Sequence, residues 1–547
     1  MIARAIRSPE HLARAAVGIG VAWLDAVTVD IERVALLEEA LAALGESVRS
    51  IRVRVLSRLA LALYWDPSSA ARRDSLSREA VEMARRLDDP ATLAYALEAR
   101  HYALWDPDHV EERLTAATEM ERVADRLRNP EIALAACSWR LFDLCEIGDI
   151  GAAEVEIARR TRIAEELRQP LQRSLATVSR AMRAMLDGRF AAADRLAEEA
   201  RALGSAVQPD GTEIRFVCQI LVLRRLQGRA KEMEIPLRGM IERYPPIVAF
   251  RCGLAAVYAD LDRRAEARAE FEIAAAKDFG DLPRDVTWFA NLHYLTDACV
   301  FLGDAARARL LYDLALPYAS RNLVIAAGLA MAGSVSRLLG RLAFVLSRIE
   351  DAARHFEAAL EMNERLGARP WLAHVQHEYA QVLSARDKLG DRERAEELLR
   401  RALATARELG MKGLAARISA GAARRPVARA VELRQDGDLW VVDYQGDICR
   451  LRDSKGLRVL AHLVKHPGAD FLPTDLAAET EEPRVARGSG AEQTRVNLTK
   501  TIKAAIDKIA ATNPSLGTHL RGAVHTGRLF RYEGAPDLLY RRIDHPL

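Results

Sequence analysis

Histidine and acidic side chains at helical spacing are the residues of this chain whose types best suit chemistry. His377-Glu378 begins like the zinc-protease motif H-E-x-x-H, but position 381 is Gln381, so the second histidine ligand is absent. His462 and His466, four residues apart on another predicted helix, would need a third ligand to hold a metal. No third ligand is evident beside either group, so the sequence predicts no metal site.

Aspartates that precede prolines form a second candidate pair. Asp66 and Asp106 could act as paired carboxylates, but each belongs to a Trp-Asp-Pro triplet, and the two triplets lie 40 positions apart. Asp or Asn before Pro is a helix-start signal, because the side chain accepts a backbone N–H and proline tolerates the first helical position. We therefore predict helix starts at Asp66-Pro67, Asp89-Pro90, Asp106-Pro107 and Asn129-Pro130.

Sequence motifs of common enzyme classes are missing. There is no Gly-Lys dipeptide and hence no P-loop, no G-x-S-x-G elbow and no G-x-G-x-x-G fingerprint. We therefore expect no enzyme activity, no catalytic residue and no cofactor.

Composition indicates a globular chain without disulfides. Of 547 residues, 50% are hydrophobic and 29% are charged, with a formal net charge of +3. The six cysteines form no close pair, which fits a reducing compartment. An N-terminal apolar run, Ala15 to Leu24, is ended by Asp25, and no run approaches the ~20 residues of a membrane span. We predict a cytoplasmic protein without membrane contact.

A repeat of about 40 residues is the strongest signal in the chain. Leu87 and Pro90 recur 40 and 80 positions later. Further on, a small–bulky–small pattern recurs on one helix face, at Ala267/Phe271/Ala274, Ala308/Tyr312/Ala315, Ala352/Phe356/Ala359 and Ala395/Leu399/Ala402. Periods of this length are typical of stacked helical hairpins. We predict a right-handed tetratricopeptide-like α-solenoid over residues 1–420, with nine or ten helix pairs.

A solenoid of this kind presents a concave face that suits a partner protein or a small ligand. Seven aromatic residues could line that face or could belong to the repeat cores, and the core is the favoured interpretation: Tyr64, Trp65, Trp105, Trp139, Trp288, Tyr294 and Trp371.

The pattern changes after residue 420. We predict a linker over 421–428 and a small α+β winged-helix-like domain with an N-terminal antiparallel sheet over 429–547. Its predicted strands and helices, in chain order, are Ala430–Arg434, Leu439–Tyr444, Ile448–Arg452, helix Ser454–His466, helix Thr474–Thr480, helix Glu492–Thr512 and strand Gly527–Tyr532. The run Leu460–Leu476 resembles the first two helices of response-regulator DNA-binding domains.

Duplex DNA is the partner predicted for this domain. The long helix 492–512 would lie in the major groove with its exposed side chains toward the bases. Between Arg484 and Arg531 there are nine basic and two acidic residues, a local net charge of +7 that suits phosphates. The candidate DNA-binding residues are Arg495, Asn497, Lys500, Lys503, Arg528 and Arg531. The alternative interpretation is a solvated helix face on a domain that contacts only protein.

Five stretches of the chain carry a family resemblance: Leu61–Pro67, Glu165–Pro170, Phe356–Leu372, Arg450–Leu460 and Arg495–Lys503. They resemble a family of large, mostly actinobacterial, multidomain regulators. In that family an AAA-type ATPase, sometimes with a nucleotide cyclase, often precedes the helical array, and a winged-helix-like module closes the chain. The present sequence begins within repeat-like sequence and lacks the ATPase, so ATP dependence is not carried over.

The sequence therefore predicts a cytoplasmic bacterial transcription regulator, with a sensing solenoid and a DNA-binding winged helix. Two alternatives stay open: a protein-interaction scaffold without DNA binding, and the sensory part of a signalling ATPase that acts with a partner in trans.

Overall fold

The computed structural model describes residues 8–18, 29–424, 432–436, 439–444, 447–466, 468–480 and 491–533. The chain divides into two compact units, Met1–Ile418 and Ser419–Leu547.

Antiparallel helix pairs make up the described part of the first unit. Its α-helices are α1 Pro9–Gly18, α2 Ile31–Leu44, α3 Ser50–Ala62, α4 Ala70–Leu87, α5 Pro90–Ala103, α6 Val110–Leu127, α7 Pro130–Ile147, α8 Ile150–Leu167, α9 Pro170–Leu186, α10 Phe190–Ser205, α11 Pro209–Gln227, α12 Glu234–Arg243, α13 Val248–Asp260, α14 Arg264–Ala274, α15 Trp288–Leu302, α16 Ala305–Ala315, α17 Val335–Val345, α18 Ile349–Arg365, α19 Arg369–Arg386, α20 Asp391–Glu408 and α21 Lys412–Arg424. These 21 helices agree with nine or ten predicted pairs, and the predicted mostly α, tetratricopeptide-like fold is confirmed.

Capping side chains start helices at three of the four predicted positions. Asp66 starts a short 3₁₀ helix, Pro67–Ser69, and its carboxylate accepts a hydrogen bond from the N–H of Ser68 at 3.0 Å. Asp89 accepts a hydrogen bond from the N–H of Ala91 at 3.1 Å, and Asn129 accepts one from Glu131 at 2.9 Å. The prediction for Asp106 was wrong. Its carboxylate binds the N–H of Asp108 at 2.8 Å within a turn, and α6 begins only at Val110.

Small residues allow the paired helices to approach closely. In α17, a Cβ at Gly340 would lie 2.9 Å from the ring of Phe356 in α18, so only glycine lets this ring pack flat against the helix. The predicted small–bulky–small residues of α14, α16 and α18 are buried, with Phe271 and Phe356 among the largest fully buried side chains.

A two-stranded hairpin interrupts the helical array, which the sequence analysis did not predict. Strand β1 is Asn322–Ile325 and strand β2 is Ala330–Ser334, paired antiparallel and buried throughout. The turn contains Ala326 and Gly328 at positive φ, a conformation that favours glycine. The sequence contains one signal for this hairpin: the β-branched residues Val324 and Ile325, which favour a strand, come shortly before Gly328.

The hairpin lies against one face of the array, which the odd-numbered helices from α5 to α21 form. We call these the first helices, because each of them up to α19 is the first helix of its pair. Asn322 donates to the carbonyl of Cys145 in α7 at 3.1 Å. Gln219 in α11 donates to the carbonyl of Leu329 at 2.8 Å. Trp371 in α19 donates to the carbonyl of Met331 at 2.8 Å. The chain itself therefore occupies part of the face that was predicted to bind a partner.

The second unit is a small α+β domain. Its elements are β3 Glu432–Asp436, β4 Leu439–Tyr444, β5 Asp447–Arg452, α22 Lys455–Lys465, α23 Pro473–Thr480, α24 Ala491–Thr512, α25 Pro514–Ala523, β6 Val524–Thr526 and β7 Phe530–Tyr532. Strands β3, β4 and β5 form one antiparallel sheet, and β6 pairs with β7. A buried core that includes Trp440, Leu460, Ile502 and Phe530 joins the sheet, the helices and the hairpin.

The predicted order of sheet, helix, short helix, long helix and hairpin is present. The first strand is described from Glu432 onward, and Ala430, its predicted start, lies outside the described residues. Helix α25, capped by Asn513, was not predicted. The predicted strand Gly527–Tyr532 is present as the shorter β7, Phe530–Tyr532, and its hairpin partner is β6. Helix α21 also extends to Arg424, into the segment 421–428 assigned to a linker.

Candidate functional site

An open cavity of about 270 Å³ lies between the first helices α11, α13, α15, α17, α19 and α21. We call it the first-helix groove. Its charged and histidine lining residues are Arg225, Asp260, His293, Asp297, Arg337, Arg341, His374, His377, Glu378 and Arg417. The repeat pattern places these side chains together, because successive first helices present the same face to the groove.

Asp297 is the centre of the ion-pair network on the groove wall. It pairs with Arg225 at 2.7 Å and with Arg341. Burial alone would raise the pKa of Asp297, but the Arg341 and Arg225 guanidiniums outweigh it and hold this pKa well below its ordinary value. Arg225 also pairs with Asp260 at 2.6 Å, so the wall is ionised and held by short contacts.

Glu378 forms a second carboxylate anchor on α19. Arg337 donates to its two oxygens at 2.6 and 2.8 Å, a bidentate arrangement. Burial favours a raised pKa, yet Arg337 and Arg341 lower the pKa of Glu378. Both carboxylates of the inner wall are therefore ionised and committed to arginines.

The groove histidines are neutral. Burial lowers the pKa of His293 to about 3, and burial also lowers the pKa of His374 and of His377. His377 and Gln381, which replaces the second histidine of a zinc-protease motif, lie 3.2 Å apart. Among the described residues, no group of three or more His, Cys, Asp or Glu could hold a metal ion.

Two arginines in the groove offer donors to a bound molecule. The Arg337 side chain is 4% exposed, and its Nη1 has no hydrogen-bond partner among the described residues. Arg417 on α21 is exposed and lines the same groove. Trp371 lies under the Arg337 guanidinium at 5.4 Å and adds an aromatic surface. The groove can thus bind a segment that carries oxygen acceptors beside apolar groups.

The aromatic residues singled out in the sequence are mostly core residues. Six of the seven are buried, and Trp65 is partly buried. Trp371 lines the first-helix groove, and Trp139 lines a separate cavity. Trp65 and Tyr294 line a third, apolar cavity. The burial of these side chains agrees with the favoured core interpretation, and four of the seven rings also border a cavity.

The predicted DNA-binding residues of α24 lie on one helix. Asn497, Lys500 and Lys503 are exposed. Arg495 is partly buried and pairs with Glu492 at 2.5 Å, three residues earlier. The three exposed side chains therefore remain available, while the charge of Arg495 is balanced within its own helix.

The remaining two candidates lie in the β6–β7 hairpin. Arg528 is exposed in the turn. Arg531 has the carboxylates of Glu533 at 3.3 Å and Asp470 at 3.8 Å. These acids lie outside the segment 484–531 used for the charge count, so the value of +7 overstates the positive charge around Arg531. Arg484 and Arg487 lie outside the described residues.

Sequence reasoning missed the first-helix groove because its residues are spread from Val222 to Arg417. One local signal was present. His374, His377, Glu378 and Gln381 follow a helical i, i+3, i+4, i+7 spacing, which places them on one face of α19.

Within the described residues, no helix is both long and apolar enough to cross a membrane.

Comparisons with known proteins identify no family. No family model matches the chain, and no curated protein matches it. A solved structure described as "Crystal structure of APC/C hetero-tetramer Cut9-Hcn1" is similar, with 13% identity and a TM-score of 0.24 over 72% of this chain and 87% of that chain. A "Circular tandem repeat protein with novel repeat topology and enhanced subunit contact surfaces" is similar with 18% identity and a TM-score of 0.17 over 76% and 97%. At TM-scores below 0.5 neither likeness bears on function.

Proposed function

We propose that this chain is a non-enzymatic protein-interaction scaffold whose first-helix groove binds a segment of a partner protein. The observation that carries the proposal is an open groove with a buried guanidinium atom, Nη1 of Arg337, that lacks a hydrogen-bond partner among the described residues. A buried donor left unpaired costs free energy, and an acceptor from a partner segment would recover it.

The electrostatics of the groove support binding rather than proton transfer. A general acid or base works best with a pKa near the working pH. The groove histidines have lowered pKa values, and Asp297 and Glu378 are held ionised by arginines. These groups keep one charge state near neutral pH, which suits a fixed recognition surface.

The rim arginine provides the test. Arg417→Glu reverses an exposed charge of the groove without touching the ion pairs of Asp297 and Glu378. Arg400→Glu is the matched control, since Arg400 is exposed on the second helix α20 and pairs only locally with Glu397. Proteins captured from the producing cells by the wild-type chain, the R417E chain and the R400E chain would be compared by quantitative mass spectrometry.

A partner should be enriched by the wild-type and R400E chains and lost with R417E. The purified partner should then bind the R417E chain at least about tenfold more weakly, because a carboxylate in place of the Arg417 cation repels the acceptor oxygens of the segment by ~1.4 kcal/mol or more. Equal capture by all three chains, or partners that are lost equally with R400E, would contradict binding in this groove.

DNA binding by the second unit is a second candidate, which would make the chain a transcription regulator. It is supported by the exposure of Asn497, Lys500 and Lys503 along one helix and of Arg528 in the adjacent hairpin. The acidic partners of Arg495 and Arg531 weaken it, because they reduce the charge available to phosphates.

A further inference from the structure

A second cavity of about 230 Å³ lies apart from the first-helix groove. Helices α5, α7, α8, α9 and α11 surround it, and the tip of the β1–β2 hairpin closes one side with Ala327 and Leu329. We call it the Arg160 cavity. The lining residues used below are Glu98, Trp139, Phe142, Arg160, Ser179 and Arg215.

Arg160 lacks an acidic partner within the described residues. The residue is 4% exposed, and its Nη1 donates to the hydroxyl of Ser179 at 2.8 Å. Its Nε has no hydrogen-bond partner in the described part of the chain. Glu156, one turn earlier on α8, is bonded instead to Arg140 at 2.7 Å. Arg160 is therefore a buried cation held by a neutral hydroxyl.

A second buried guanidinium lines the same cavity. Arg215 in α11 is 4% exposed, and its Nη2 donates to the side chains of Gln208 and Thr212, both at 3.0 Å. Burial, together with the nearby charge of Arg215, lowers the pKa of Arg160 to about 10. Two like charges thus line the same cavity, and an anion bound between them would relieve their repulsion.

The other walls are apolar and aromatic. Trp139 and Phe142 in α7 stand in edge-to-face contact at 6.1 Å, and the Arg160 guanidinium lies 5.8 Å from the Phe142 ring. Glu98 also borders the cavity, and burial raises its pKa. A single cavity therefore combines a cationic end with a flat apolar wall.

We propose that the Arg160 cavity binds a small organic oxyanion, a carboxylate or a phosphate monoester with an apolar body. The oxyanion accepts hydrogen bonds from Arg160 and Arg215, whose planar guanidiniums suit carboxylate and phosphate oxygens. The apolar body packs on Trp139 and Phe142. Arg160 is retained for this ligand, because a buried cation without a carboxylate partner among the described residues costs free energy in the empty protein. This site does not depend on the partner groove proposed above.

Calorimetric titration of the full chain tests the proposal with four probes: 3-phenylpropionate, phenyl phosphate, inorganic phosphate and the uncharged 3-phenylpropionamide. We expect an aromatic oxyanion to bind at least about tenfold more tightly than the amide, since loss of a buried charged contact costs more than ~1.4 kcal/mol. The stronger of 3-phenylpropionate and phenyl phosphate identifies the anionic group. Inorganic phosphate alone should bind more weakly, because it lacks the apolar body.

Variants locate the binding. Arg160→Met should abolish oxyanion binding and leave the melting temperature equal or higher, because it removes an uncompensated buried charge. Arg180→Gln, at an exposed arginine on α9, is the matched control and should bind as the wild type does. Ser179→Ala keeps the cation and removes the hydroxyl that orients it, so it should weaken binding to an intermediate degree.

Two outcomes would overturn the proposal. One is that no oxyanion probe binds the wild-type chain at concentrations up to about 10 mM, or that the amide binds equally well. The other is that R160M unfolds at a lower temperature and binds the anions as the wild type does, which would make Arg160 a structural residue. If R160M fails to fold, the proposal is still tested by comparing how tightly the wild-type chain binds 3-phenylpropionate and 3-phenylpropionamide.

Discussion

The hydroxyl of Tyr64 links two backbone segments that are far apart in the chain. Its oxygen accepts a hydrogen bond from the N–H of Val286 at 2.9 Å and donates one to the carbonyl of Trp105 at 2.7 Å. Val286 lies 222 residues after Tyr64, just before α15. Together with the β1–β2 hairpin, this contact joins the early repeats to the later ones, which contact between neighbouring repeats alone would not do.

Tyr64→Phe should therefore destabilise the first unit. It removes the hydroxyl that accepts from the buried N–H of Val286 and donates to the carbonyl of Trp105, at a cost of about 1–3 kcal/mol. Urea unfolding followed by circular dichroism measures the loss. Tyr95→Phe is the control, at a tyrosine that is only partly buried. Equal stability of the Y64F chain and the wild type would show that water satisfies both groups.

Gly328→Ala tests the close contact between the β1–β2 hairpin and helix α7. A Cβ at Gly328 would collide with the ring of Phe142, and the residue has a φ of +68°. We expect a loss of about 2–4 kcal/mol, from backbone strain plus overpacking. Gly303→Ala is a matched control with a φ of +65° and open space around it, so it should cost only the backbone strain of ~1 kcal/mol. Equal losses in thermal unfolding would contradict the close hairpin contact.

Asp297→Asn should be strongly destabilising. It leaves Arg225 and Arg341 without their shared carboxylate, and breaking a buried ion pair costs about 3–5 kcal/mol. Asp313→Asn, at an exposed aspartate of α16, is the control. Denaturant unfolding at neutral pH measures both.

The contribution of Asp297 to stability should also depend on pH. Because the pKa of Asp297 is lowered in the folded state, its ion pairs stabilise the fold fully above the ordinary aspartate pKa, and this stabilisation is lost as the pH falls below it. An Asn variant as stable as the control would contradict the central role of Asp297.

Buried histidines should make the first unit sensitive to mild acid. Burial lowers the folded-state pKa of His293 to about 3, whereas an unfolded histidine titrates near ~6.5. Below that pH the unfolded state binds a proton that the folded state does not, so stability falls as the pH falls. His293→Gln should flatten the stability slope between about pH 6 and pH 4 by up to ~1.4 kcal/mol per pH unit. His11→Gln, at an exposed histidine of the same unit, is the control. An unchanged slope in H293Q would contradict this account.

Salt dependence decides the DNA candidate. If α24 contacts phosphates, binding of the full chain to duplex DNA should weaken steeply as salt rises, and Lys500→Ala or Lys503→Ala should reduce the salt slope by about one unit each. Lys231→Ala, at an exposed lysine of the first unit, should leave the slope unchanged. If DNA binding is absent at low salt, or if its salt slope is equal in all variants, the DNA candidate is contradicted and the scaffold function is favoured.

The amino-acid sequence determined the local elements of this protein. Asp89 and Asn129 start their helices because a capping side chain and a following proline act within a few residues, and the alanine spacing set the packing faces of the repeat pairs. The same local signals predicted the helices and strands of the second unit to within a few residues, although they missed α25.

Only the tertiary structure decided what those elements bring together. The hairpin 322–334 lies on the first helices through contacts with Cys145, Gln219 and Trp371, and no local pattern records such distant partners. The first-helix groove and the Arg160 cavity likewise collect residues from several helices. Whether an arginine is paired depends on which carboxylates the fold places beside it: Arg225 meets two aspartates, whereas Arg160 is bonded to a serine hydroxyl. The number of charged residues can be counted in a sequence. The free energy of each charged side chain, however, depends on its burial and on its neighbours in the fold.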